Sequence, residues 1–428
     1  MFLWRTSGVK SEWIGILARE EGMRPERLRE GIRSGRIVVL RSRTHDTEPL
    51  AVGQGTRVKV NANIGTSPDR SDLETELQKL HAAIAAGADT VMDLSVGQDA
   101  DEVRRAVLRE SSVPVGTVPV YQVALDLRLR RRSFVEATAK DILSGVEKHL
   151  ADGVDFVTVH CGVTRLNLEV VRRSKRVCGI VSRGGSMMAE WMKYSGRENP
   201  LYERYDDLLA MAKHHRACLS LGDGLRPGAL ADATDEAQVA ELVTLGELVR
   251  RARDAGVHVM VEGPGHVPLD QVRENVMLEK NLCDGAPFYL LGPLVTDVAC
   301  GYDHISGAIG GALAAYYGAD FLCYLTPTEH LALPGIEAVR EGVIASRIAA
   351  HAADVARHHP GAVRWDRRLS RARGRLDWKR VIEDCIHPER ARRIFESERS
   401  KTAGVCTMCG EFCAIKKTKE TFDDQADG

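Results

Sequence analysis

Neither sign of charge is in excess in this 428-residue chain: 59 Lys and Arg stand against 60 Asp and Glu, a formal net charge of −1. That balance excludes an extended basic surface, so neither a nucleic acid nor an anionic membrane is expected as a partner, although a local anion site is compatible with it. The basic run at 128–132, Arg-Leu-Arg-Arg-Arg, reads as a solvated face. Long apolar runs are also missing. The opening residues 1–6 carry no signal-type apolar core or cleavage pattern. The stretch 307–325 is interrupted by Asp320 and reads as a buried helix followed by a strand, not a membrane span. A disulfide framework is absent too. Ten cysteines are too sparse for one; seven are scattered in apolar surroundings, as at Cys218 and Cys323, and three are clustered. This usage fits a reducing cytoplasm and a single metal site.

What is present is a rhythm. Residues 1–55 read as a charged helical lead-in without a core, with Ser11 capping one helix and Pro25 starting another. From residue 56, short β-type runs alternate with helical stretches of ten or more residues. The runs are 57–61, 90–94, 115–120, 156–160, 179–181, 218–221, 257–261, 288–291 and 321–325. Alternation of this kind predicts a parallel sheet. Nine runs are one more than a closed eight-stranded barrel needs, and 179–181 is the one expected to be short or outside the ring. Polar residues recur where the runs end: Asn63, Met92 with Asp93, Tyr121, His160, Ser182 to Gly185, Asp223 to Gly228, Glu262 to His266, and Glu329 with His330. A (β/α)8 barrel of the TIM type over 56–345 gathers all of these on one face, whereas a doubly wound sheet would concentrate them at one switch point. A helical domain is expected over 346–400, with a cysteine loop and a flexible acidic tail over 401–428.

Several constellations carry chemistry. Cys406, Cys409 and Cys413 form Cys-x2-Cys-x3-Cys. Three thiolates in one loop suit a four-iron cluster with one iron left open, a structural zinc completed by Cys385 or His387, or an idle thiol set. His266 and His330 each follow a strand and could share a metal or remain hydrogen-bonded structural residues. The segments 182–185 and 223–228 combine glycine with arginine, which suits a phosphate as well as a tight turn. Asp223 and Glu262 are candidates for binding hydroxyl or amine groups or for general-base work, and Asn63 suits hydrogen bonding to a ring or ribose. On residues alone, a zinc-dependent barrel hydrolase with a structural cysteine knob and a non-catalytic iron–sulfur or redox-sensing protein stand beside a radical enzyme.

The motifs Asn-Ala-Asn-Ile-Gly (61–65), Gly-Ala-Asp-Thr-Val-Met-Asp (87–93), Ile-Val-Ser-Arg-Gly-Gly (180–185), Ser-Leu-Gly-Asp-Gly-Leu-Arg-Pro-Gly (220–228), Glu-Gly-Pro-Gly-His-Val-Pro (262–268) and Gly-Tyr-Asp-His-Ile (301–305) together resemble the phosphomethylpyrimidine synthase family over about residues 56–416. The short N-terminus resembles that family's compact form. The resemblance implies a radical S-adenosylmethionine carbon–carbon lyase that turns 5-aminoimidazole ribotide into 4-amino-5-hydroxymethyl-2-methylpyrimidine phosphate for thiamin biosynthesis. It further implies a [4Fe-4S] cluster on Cys406, Cys409 and Cys413, and Zn2+ on His266 and His330. The implied substrate contacts are Asn63, Met92, Tyr121, His160, Ser182, Arg183, Gly184, Asp223, Gly224, Leu225, Arg226, Glu262 and Tyr289. A homodimer and a low-potential electron donor of flavodoxin or ferredoxin type are implied as well. Two departures stand out. The final cysteine spacing is one residue shorter than the Cys-x2-Cys-x4-Cys of the best-known members. Cys300 also replaces an expected proline, adding a thiol near the pocket. A close paralogue, 5-hydroxybenzimidazole synthase of anaerobic cobamide biosynthesis, uses the same ribotide and is the alternative reading.

Overall fold

Short runs of β-branched and aliphatic residues separated by helices have one way to bury both faces, which is a parallel sheet wrapped in helices. A computed structural model of the protein describes residues 9–398, 400 and 402–422. It divides into two compact units, Met1–Arg357 and His358–Gly428.

The first unit opens with helices Ser11–Glu20 and Pro25–Arg33, then an antiparallel hairpin of β1 (Ile37–Leu40) and β2 (Leu50–Gly53). The barrel follows as β3 (Lys59–Ile64), β4 (Thr90–Asp93), β5 (Val115–Thr117), β6 (Phe156–Val159), β7 (Cys218–Leu221), β8 (Val259–Gly263), β9 (Phe288–Leu291) and β10 (Phe321–Cys323). All eight pair in parallel in chain order, and β10 closes on β3. The run 179–181 is not a strand; it bends into the helix Arg183–Ser195.

Three sequence expectations need correction. Tyr121 does not end a strand: Pro119 occupies the first helical turn, so β5 stops at Thr117 and Tyr121 lies on the helix Pro119–Leu129. Ser11 is the first helical residue rather than the cap, a position taken by Lys10. The lead-in is neither wholly helical nor without a core. Ile37 and Val39 of β1 join Trp13, Leu17, Leu28 and Ile32 in a small core, while Val38 and Leu40 face the barrel core. The period-2 alternation of Ile-Val-Val-Leu serves two layers at once. The opening residues 1–6 and the acidic end of the tail lie outside the described residues. Among those described, no helix is long and apolar enough to cross a membrane.

The strand starts carry a repeated device. Gly-x-Asp precedes β4, β6 and β10 as Gly87-Ala-Asp89, Gly153-Val-Asp155 and Gly318-Ala-Asp320. Each glycine has positive φ (92°, 104° and 128°) and ends the preceding helix. Each aspartate then accepts a backbone N–H from the neighbouring strand: Val60 to Asp89 at 2.8 Å, Val115 to Asp155 at 2.7 Å and Phe288 to Asp320 at 3.1 Å. Charges at this end are paired: Lys59 with Glu21 at 2.9 Å, both buried, and Lys280 with Asp320 at 2.7 Å. The opposite, C-terminal end is left open for chemistry, the usual division of labour in this architecture.

The helix Ile336–Ala356 spans the point near 345 where the sequence rhythm changes, and packs against the barrel. The second unit holds helices Pro360–Gly374, Trp378–Glu383 and Pro388–Ser397, a turn at Gly410–Phe412 and the helix Ala414–Phe422.

Lys59→Ala removes the ammonium from the buried Glu21 carboxylate, and a loss of about 3–5 kcal/mol in unfolding free energy is expected by denaturant titration. The paired change Lys59→Met with Glu21→Gln restores most of it. A loss under about 1 kcal/mol in the single variant would show that the pair is not what seals this end.

Candidate active site

Residues two apart on a barrel strand point to the same side. Asn61 and Asn63 on β3 therefore both face the interior, and closure places them beside Cys323 of β10. Asn63 Nδ2 lies 3.1 Å from Cys323 Sγ, and Asn61 Nδ2 donates to Asn63 Oδ1 at 2.8 Å and to Tyr289 Oη at 2.8 Å. Tyr289 in turn reaches Met92 Sδ at 3.4 Å. On the other side of the ring, Thr158 and Ser220 each donate to Glu262 Oε1 at 2.7 Å.

Of these, Asn63, Met92, Thr158, Glu262, Tyr289 and Cys323 line a cavity of about 400 Å³ at the C-terminal end of the strands. Nine of the expected contacts face it: Asn63, Met92, Tyr121, His160, Arg183, Asp223, Arg226, Glu262 and Tyr289. Ser182, Gly184, Gly224 and Leu225 do not line it; they build its wall. Ser182 caps the helix Arg183–Ser195 by accepting from Gly185 N at 3.1 Å. A Cβ on Gly184 would stand 2.2 Å from the His160 ring, and one on Gly185 would stand 2.1 Å from the Gly224 carbonyl oxygen. Only glycines let the 182–185 turn and the 223–226 loop touch backbone to backbone. A second cavity of about 750 Å³ shares Asn63, Leu94, Tyr121, Arg183 and Glu329 with the first. Arg183 sits 4.9 Å from the centre of the Tyr121 ring at this junction.

The electrostatics follow from burial. Burial, helped by the Arg226 charge, drives the His160 pKa down to about 3, so its imidazole is neutral, and its Nδ1 has no partner within the protein. Burial pushes Asp223 up to about 7 against the opposing pull of Arg226, whose Nη1 is 2.9 Å from Asp223 Oδ1; Asp223 Oδ2 is unpartnered. Burial also raises Glu262, against the hydrogen bonds from Ser220 and Thr158. One buried carboxylate oxygen and one buried imidazole nitrogen thus await hydrogen bonds that no protein group supplies.

His266 and His330 line neither cavity. Their rings lie 5.3 Å apart. Nδ1 of His266 bonds Asp297 at 2.8 Å, and Nδ1 of His330 bonds Asp303 at 3.1 Å. A carboxylate on each Nδ1 leaves both Nε2 lone pairs available, the usual arrangement behind a metal-bound histidine. Among the described residues, no three His, Cys, Asp or Glu side chains already converge as a metal cage.

In the second unit, Cys406, Cys409 and Cys413 share one tight loop. Gly410 N donates to Cys406 O at 3.1 Å and Cys413 N to Gly410 O at 3.2 Å, and all three thiols are free. Three unpaired thiols on one loop, with the Glu411 carboxylate between the last two, are the donor type that three irons of a four-iron cluster take. Two other expectations about cysteines are corrected. Cys300 is exposed and lines neither cavity, and Cys178 is exposed rather than set in apolar surroundings.

Sequence reasoning missed Thr158 and Cys323 as lining residues and Ser220 as a partner of Glu262. The signal was available for all three: 158, 220 and 323 are inward positions on strands whose other inward residues, or those paired with them, were already picked out.

Residues 4–420 match the radical SAM ThiC family. The chain is 55% identical over 401 residues to a phosphomethylpyrimidine synthase of Desulforamulus reducens, covering 94% of this chain and 93% of that one. It is 53% identical over 420 residues to one of Geobacter metallireducens, with 98% and 96% covered. A third relative, from Methanopyrus kandleri and of the same name, is 53% identical over 411 residues, with 96% of each chain covered.

The raised Asp223 has a consequence for stability. Its folded pKa of about 7 lies above the ordinary carboxylate value near ~4, so the unfolded chain loses this proton first as pH rises. Its contribution is complete below pH ~4 and is lost as pH climbs through about 7. Thermal unfolding of Asp223→Asn is therefore expected to fall less between pH 5 and pH 8 than that of the unaltered protein. Parallel pH profiles for the two would contradict the assignment.

Proposed function

The chain belongs to the radical SAM ThiC family, and on that premise we propose how its barrel carries out the phosphomethylpyrimidine synthase reaction. The enzyme is a radical S-adenosylmethionine lyase that converts 5-aminoimidazole ribotide to 4-amino-5-hydroxymethyl-2-methylpyrimidine phosphate in thiamin biosynthesis. The benzimidazole-forming alternative is not favoured, because the relatives at 53–55% identity carry the pyrimidine activity in their names.

The observation that carries the reading is the pair of joined cavities at the C-terminal end of the strands, the smaller one lined by polar groups lacking partners. The smaller takes the ribotide. Its phosphate sits against the N-terminal turn of the helix Arg183–Ser195 and the Arg226 fork, where backbone N–H groups and a guanidinium favour a dianion. Asp223 and Glu262 accept hydrogen bonds from ribose hydroxyls or the aminoimidazole amine. Neutral His160 offers Nδ1, and Asn63 addresses the ring. Met92, Tyr121 and Tyr289 pack around the substrate and keep water from it, and Gly224 and Leu225 hold the loop that presents Asp223 and Arg226. The larger cavity accommodates S-adenosylmethionine. Cys406, Cys409 and Cys413 would hold a [4Fe-4S] cluster, which would supply the electron for reductive cleavage of S-adenosylmethionine.

His266 and His330 would hold Zn2+ through their Nε2 atoms. The electron comes from a flavodoxin- or ferredoxin-type donor, and the ten free thiols suit a reducing cytoplasm. The protein works as a homodimer. A stripe of Ile305, Ile309 and Tyr316 on the helix Asp303–Tyr317, extended by Tyr302 at its N-cap and each about half exposed or more, suits a second copy of itself.

Three outcomes test this. Anaerobic incubation of the reduced enzyme with ribotide and S-adenosylmethionine yields the pyrimidine phosphate by mass spectrometry, and Cys409→Ala forms no 5′-deoxyadenosine; a benzimidazole product, or full turnover by the variant, would overturn the reading. His330→Ala loses bound zinc in elemental analysis, and retention at the unaltered level would remove the histidine pair as its site. Ile309→Asp shifts the light-scattering mass towards the monomer, and an unchanged dimer would place the interface elsewhere.

A further inference from the structure

The loop 223–226 must present Asp223 and Arg226 to the cavity while its backbone touches the turn at 184–185. Turns rich in glycine do not hold one shape unaided. What holds this one lies behind the wall, on residues that line neither cavity.

Arg176 is the centre of that support, with a side chain only 2% exposed. Its Nε and Nη2 meet the two carboxylate oxygens of Asp235 at 2.6 and 2.7 Å. The same Nη2 donates to Leu225 O at 2.6 Å, and Nη1 donates to Gly179 O at 3.1 Å and Arg226 O at 3.4 Å. One guanidinium therefore ties the 223–226 loop to the segment that leads into Ser182. Asp235 is itself anchored, because it caps the helix Glu236–Ala255 by accepting from Gln238 N at 2.9 Å. One turn further along that helix, Glu241 accepts from Leu225 N at 2.7 Å. The peptide groups on both sides of Leu225 are thus held by side chains anchored to one helix. Asp232 secures the other segment by accepting from Val177 N at 2.7 Å and Cys178 N at 3.0 Å.

We propose that Arg176, anchored by Asp235 and assisted by Glu241, is a positioning residue for ribotide binding: it locks the two phosphate-side segments together before substrate arrives. The inference rests on the reading of 182–184 and 223–226 as ribotide contacts. Only a planar fork with five donors can serve two carboxylate oxygens and three carbonyls at once, and a lysine ammonium cannot. Preorganisation of this kind affects affinity for the molecule that meets the loop, not for a cosubstrate bound elsewhere.

The test is steady-state kinetics of the cluster-loaded enzyme with each substrate varied in turn. Arg176→Lys is expected to raise the KM for ribotide about ten- to hundredfold, the range for losing charge-assisted hydrogen bonds. The KM for S-adenosylmethionine and kcat at saturating ribotide stay within about twofold. Arg176→Ala shows a larger rise that added guanidinium partly reverses, as a general loss of folding would not. Should these variants fail to fold, Asp235→Asn keeps the helix cap while weakening the fork, and a several-fold rise in ribotide KM alone is expected. An unchanged ribotide KM, or equal loss towards both substrates, overturns the proposal. Arg226→Ala separates the two levels. If it also leaves the ribotide KM unchanged, the reading of the site fails; if it raises that KM while Arg176→Lys does not, only the clamp fails.

Discussion

The pairing of β10 with β3 sets Cys323 beside Asn61, residues 262 positions apart in the chain, and the rest of the pocket wall follows from that closure. Without it, Asn61 and Asn63 would be on an edge strand, and Tyr289 would have no asparagine to bond. Closure is in turn secured from below. Carboxylates at the strand starts take the backbone N–H groups of their neighbours, and Lys59 of β3 is fixed by Glu21 from outside the barrel. A buried ion pair is weak evidence of net stability, but it does specify register. Here the register decides which side chains face inward, because a slip of one residue would turn every one of them outward.

A second constraint is the shared backbone contact of the 182–185 turn and the 223–226 loop. A side chain at 185 would push the two segments apart, and side chains at 184 and 224 would strike His160 and Val163 beside them. Removing side chains brings the helix N-terminus and Arg226 to one place but leaves the loop with little of its own to hold it. Support comes from side chains buried behind it. The same burial explains the electrostatics. Carboxyl groups at Asp223, Glu262 and Glu241 are all pushed up by desolvation. Asp223, pushed up to about 7, is thus partly protonated near neutral pH, which lowers the negative charge facing a phosphorylated ligand.

The barrel was legible because eight β-type runs alternate with helices at regular length. The extra run 179–181 was rightly set apart: Gly179 adopts φ of 64°, and the chain bends there into a helix. The hairpin of β1 and β2 was overlooked although Ile-Val-Val-Leu at 37–40 is a plain strand signal, because the surrounding charge suggested helix. Tyr121 was placed on the wrong element because Pro119 was not weighed as a helix start. The polar strand-end residues were readable as a set. Thr158 and Ser220 were within reach of the period-2 rule, whereas Glu262 was found by its place at the end of a run. Arg176 and Glu241 were not, since their partners are backbone groups of a distant loop, with nothing in local sequence to announce them. The Gly-x-Asp repeat was visible, but its meaning needs the neighbouring strand.

The central claim is that a phosphorylated ribotide occupies the smaller cavity with its phosphate on the helix that starts at Arg183. A crystal structure of the protein grown anaerobically with 5-aminoimidazole ribotide measures this directly. The account predicts phosphate oxygens within hydrogen-bond distance of the Ser182–Gly185 turn and of Arg226, with the ribose facing Asp223 and Glu262. Ribotide bound away from these residues, or an empty barrel at saturating ribotide, would contradict it.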